Sequence, residues 1–144
     1  MIEFDKAKWR LALLWFGVCG FLFFIVFLQT ILDKYGQRST EVWNWLLPNL
    51  MPVLTMMAGV IVSDMKAAPV TRFVQVPFYY FAGGLSCFYL LLIAVIILLG
   101  PVIEETAGLL IFDVIGRTGV FLGPMQGVVA SAVGIFFLKK TEKG

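Results

Sequence analysis

The sequence contains no histidine. That removes the base of Ser–His and Cys–His dyads and the nitrogen ligand that most zinc sites draw on. Cysteine is nearly as scarce. Cys19 and Cys87 each sit in the middle of an apolar run, where a thiol serves as a small packing residue rather than half of a redox pair. No C-x-x-C, H-E-x-x-H or phosphate-binding G-x-x-x-x-G-K-[ST] pattern occurs. Charge is thin as well, at 14% of 144 residues, where an ordinary soluble domain carries about 25%. The net charge of +2 comes without a basic stripe, so nucleic acid is not an expected partner. Neither catalysis, a cofactor nor a metal is expected.

What the chain has is apolar length. It is 60% hydrophobic with a mean hydropathy of +0.95, and the surplus gathers into runs that match the roughly 20 residues of helix a bilayer requires. The expectation is an all-α, polytopic membrane protein forming one domain over 1–144, with spans at about 11–32, 45–63, 76–99 and 119–138. The first run is too long for the apolar core of a secretory signal and is expected to stay as a helix. Gly36 reads as its stop, with Ser39 or Thr40 capping the next helix. Gly100-Pro101 reads as the end of the third span.

Between the third and fourth spans, residues 102–117 mix Glu104, Glu105, Asp113 and Arg117 with an apolar spacing at Ile103, Ala107, Leu110, Ile111 and Val114. That pattern fits an amphipathic helix too short to cross. A separate interfacial or re-entrant segment is therefore expected there.

Prolines and glycines point to contacts. Pro48 and Pro52 fall at the start of the second span, and Pro124 lies inside the fourth. Each lacks a backbone donor and can kink a helix, and in lipid the freed carbonyls need a protein or water partner. Pro52, Thr55, Gly59 and Ser63 form a small, mildly polar face. In the fourth span Gly119, Gly123, Gly127 and Ser131 recur every fourth position, nearly in line on a helix. Grooves without side chains are where membrane helices approach, so this seam is expected to pack copies of the chain into a homo-oligomer. Gln126 is either an interhelical hydrogen-bonding residue or a polar pore-lining one.

Charge sets the expected orientation. Lys6, Lys8, Arg10, Lys66, Arg72, Lys139, Lys140 and Lys143 would share one side, against Lys34, Arg38 and Arg117 on the other. The positive-inside bias then puts both termini in the cytoplasm of an inner or plasma membrane. No Asp, Glu, Lys or Arg falls at mid-span, which argues against a proton-coupled carrier. Two functions fit. One is a small channel or membrane-perturbing effector, with Glu104 and Glu105 as an acidic ring at the outer mouth. The other is a non-conducting sensor or scaffold whose Lys66, Arg72, Lys139, Lys140 and Lys143 dock a cytosolic protein or anionic lipid. In size alone the chain is similar to holins and to membrane components of bacterial defence systems.

Overall fold

A computed structural model describes residues 2–66 and 73–138. Four helices dominate: α1 (Phe4–Ile31), α2 (Ser39–Met65), α3 (Val76–Ala107) and α4 (Ile111–Leu138). All four are long and apolar enough to cross a membrane, and the chain is a multi-pass helical membrane protein. Twenty-eight residues of α1 reach about 42 Å, so the helices overrun a hydrocarbon core of about 30 Å. Their ends therefore carry the charged residues: Asp5, Lys6 and Lys8 open α1, and Asp64 lies in the last turn of α2.

Local chemistry sets most boundaries. Two residues after α1 take left-handed backbone, first Asp33 (φ 54°) and then Gly36 (φ 52°). Aspartate tolerates that conformation, so the helix stops at Ile31, ahead of the expected glycine. Gly36–Arg38 then forms a single 3-10 turn, and no side chain caps α2. Gln75 precedes α3, and Pro77 sits in its first turn, where a missing N–H costs nothing.

The expected segment at 102–117 is not a separate element. α3 runs through Gly100-Pro101 to Ala107, and α4 begins at Ile111. The reversal falls on Gly108 (φ 63°), whose N–H donates to the Glu104 carbonyl at 3.2 Å. Only glycine takes this turn without strain. The apolar spacing across 103–114 thus belongs to two helix ends. A second glycine explains why Pro101 does not stop α3: a Cβ on buried Gly100 would lie 2.8 Å from Ile111 Cδ1. The bare backbone lets α4 close onto α3 there, so packing carries the helix past the proline.

α1 and α4 lie diagonally across the bundle, each flanked by α2 and α3, and meet where the Phe4 and Phe136 rings pack 5.5 Å apart. α2 and α4 run parallel, because Gln126 meets Pro48 and Gly134 meets Met56 in the same register. Trp15, Tyr89, Leu22, Leu50, Met57 and Phe136 are among the side chains that fill the interior. At one end Ile2 and Glu3 pair antiparallel with Val74 and Phe73, tying the start of α1 to the segment ahead of α3.

Candidate helix-docking surface

α4 buries one face and opens the other. Leu122, Val129, Val133 and Phe136 are buried, whereas Gly119, Val120, Gly123, Pro124, Gly127 and Ser131 are exposed. A Cβ placed on Gly119, Gly123 or Gly127 would meet nothing within 4 Å. Gly134 continues the same helical stripe, seven residues past Gly127, and there the Sδ of Met56 on α2 lies 3.4 Å from the position of a Cβ. The glycine face therefore turns toward the α2 side of the bundle, is covered at one end, and is open along the rest.

α2 adds to the same opening. Pro48, Pro52, Thr55, Gly59 and Ser63 are all exposed, and a methyl group added at Gly59 would touch nothing within 4 Å. Polar groups along this trough are satisfied locally: Thr55 donates to the Met51 carbonyl at 2.8 Å and Ser131 to the Gly127 carbonyl at 2.8 Å. Two parallel helices thus frame a shallow strip of small side chains with little polarity, a surface suited to another helix.

Gln126 is placed by a proline. Pro52 has no N–H for the Pro48 carbonyl one turn earlier, and Gln126 Nε2 donates to that carbonyl from α4. The chain thereby meets the need of its own irregular helix without a second copy. Pro48, Pro52 and Pro124 all lie inside continuous helices.

The two ends differ. At the α3–α4 turn, Glu104 and Glu105 are exposed on the last turns of α3. Among the described residues Asp113 and Arg117 form no ion pair with each other; Arg38 pairs with Glu41 at 2.7 Å and stacks 4.0 Å over the Phe112 ring. Tyr35 packs edge-on against Phe112 and donates to Gln29. Its burial pushes the phenol up to about 12. At the opposite end Lys66 is exposed beyond α2, while Arg72, Lys139, Lys140 and Lys143 lie outside the described residues.

Two contacts lie outside the sites expected from the sequence. Lys8 is only 5% exposed and meets Asp64 at 2.5 Å and Asp5 at 3.5 Å. Opposite charges at adjoining ends of an antiparallel pair were the available clue. In the interior, Tyr89 donates to the backbone and side-chain oxygens of Asn49, both at 3.1 Å, and its ring packs beside Trp15. Among the described residues no group of three or more His, Cys, Asp or Glu could hold a metal ion. No protein family, curated protein or solved structure matches the chain.

Proposed function

We propose that the protein is a small homo-oligomeric channel or membrane-perturbing effector, assembled through the trough between α2 and α4. The observation that carries this reading is the unfilled glycine seam on α4, where a Cβ at Gly119, Gly123 or Gly127 would meet nothing within 4 Å. In lipid an open small-residue strip is stabilised by a helix that brings backbone contacts to it. The bundle interior is filled by large side chains, so conduction runs between protomers rather than through one. Glu104 and Glu105, exposed on the same end of each copy, would border that path and favour cations. The reading assigns no catalysis to the chain. Lys6, Arg10 and Lys66 at the N-terminal end support cytoplasmic termini in an inner or plasma membrane.

The test is leakage of ions or dye on expression, combined with Gly123→Leu. Leucine at this position enters open space, so the monomer should fold and the oligomer should fail, taking leakage with it. Intact membranes around a protein that binds a cytosolic partner would instead favour the sensor or scaffold role. The double change Glu104→Gln and Glu105→Gln should lower cation preference in single-channel recordings; unchanged selectivity removes the acidic ring from the mechanism.

A further inference from the structure

Two polar side chains inside the bundle stand apart from the Tyr89–Asn49 pair. Trp15 and Ser86 are fully buried, and neither Trp15 Nε1 nor Ser86 Oγ has a hydrogen-bond partner among the described residues. A buried polar group without a partner is costly, and an ordered water is its usual remedy. Ser86 also departs from the habit of the other hydroxyls. Thr30, Thr55, Thr106, Thr118 and Ser131 each donate to the carbonyl four residues earlier in their own helix. Ser86 Oγ makes no such bond, so it stays open to a partner from outside its helix.

Ring contacts set α1 against α3 in register. Phe4 and Phe78 both pack on the Phe136 ring, at 5.5 and 6.1 Å. Eleven residues further along each helix, Trp15 and Tyr89 pack beside each other at 6.3 Å. The two helices therefore run parallel with a constant offset. Ser86 lies about one turn before Tyr89 on the same buried face, which puts it level with Ala12 of α1. Helix side chains lean toward the N-terminus, and this carries the Trp15 indole back over Ala12, toward the level of Ser86. Ala12 is buried there, as is Ala82 one turn before Ser86, and each presents only a methyl group. An indole donor and a free hydroxyl thus meet small neighbours near the middle of α1.

We propose that the α1–α3 contact at this level binds one ordered water molecule, which accepts from Trp15 Nε1 and donates to Ser86 Oγ. The indole can only donate and the hydroxyl can accept, so a small molecule that does both in turn completes the pair. The water links α1 to α3, as the bonds from Tyr89 to Asn49 link α3 to α2. Neither Trp15 nor Ser86 belongs to the trough between α2 and α4, so this site stands independently of the assembly described above.

The experiment is solution NMR of the full chain in micelles with isotope-labelled tryptophan, reading cross-relaxation between water and the Trp15 indole proton. Trp15→Phe assigns the resonance. The expected result is a water cross-peak whose laboratory-frame and rotating-frame Overhauser effects have opposite signs, the mark of a bound water rather than of proton exchange. Ser86→Ala removes the hydroxyl and keeps the space, so the cross-peak should persist; its loss there means that the signal was relayed through the hydroxyl, and overturns the proposal. Ser86→Leu fills the space and should abolish the cross-peak while circular dichroism stays helical. A cross-peak that survives in that folded variant puts the water elsewhere and overturns the proposal as well. So does the absence of any water cross-peak at Trp15 in the unsubstituted chain, whatever the variants do.

Discussion

At the scale of single residues, Pro52 and Gln126 form one unit across two helices. The proline withholds an amide from the Pro48 carbonyl and the glutamine amide supplies one. Gln126→Leu should leave that carbonyl bare and cost about 1 kcal/mol, within the range measured for interhelical hydrogen bonds in membranes. Thermal unfolding in detergent would measure it, and Gln126→Glu offers no compensating donor when ionised. Gly108 is the second such position. With φ at 63°, Gly108→Ala should cost about 1 kcal/mol and loosen the α3–α4 turn. Tyr35 gives a pH dependence. Its folded pKa of about 12 lies above the unfolded value of about 10, so the folded state holds the proton more tightly. The contribution is complete below pH of about 10 and is lost as pH rises toward about 12. Alkaline unfolding curves should show that loss, and Tyr35→Phe should flatten it.

At the scale of elements, a charge pair joins the start of α1 to the end of α2. Asp64→Asn would strand the buried Lys8 ammonium with only Asp5 at 3.5 Å. A fully buried pair broken this way loses about 3–5 kcal/mol. The Asp64 side chain is 32% exposed, so about 2 kcal/mol is expected here. Lys8→Met combined with Asp64→Leu should recover much of that loss, since no unpaired charge remains. A double-mutant cycle on detergent melting temperatures gives the coupling. The other elements had visible grounds in sequence: four apolar runs of bilayer length, a charged lead-in and a polar first loop. The boundary at Gly100-Pro101 did not follow, because the packing of Ile111 against bare backbone is a contact between helices that no local pattern records. The spacing across residues 102–117 was real but divided by Gly108, whose turn splits one apparent stripe into two ends.

At the scale of the whole molecule, the bundle has one flank with an open small-residue trough. Gly123→Leu tests it: the variant should migrate as a smaller species in detergent sizing with light scattering while keeping its helical circular dichroism. Retention of the same oligomer would mean that copies meet elsewhere. The spacing of Gly119, Gly123, Gly127 and Ser131 was legible in the sequence. That the seam would lie outside the packed core was not, since the same spacing serves equally well inside a bundle. Gln126 shows the limit from the other direction, for its partner lies 78 positions away.

The sequence alone determined the helices themselves, because a helix in lipid satisfies its backbone within its own span and its length is set by the bilayer. It also determined that charge would collect at the ends. Which faces turn inward was decided only by tertiary packing, as were the parallel register of α2 with α4, the pairing of Lys8 with Asp64 and the opening of the glycine seam. Each of these depends on the distance between residues far apart in the chain, a quantity that no local periodicity carries.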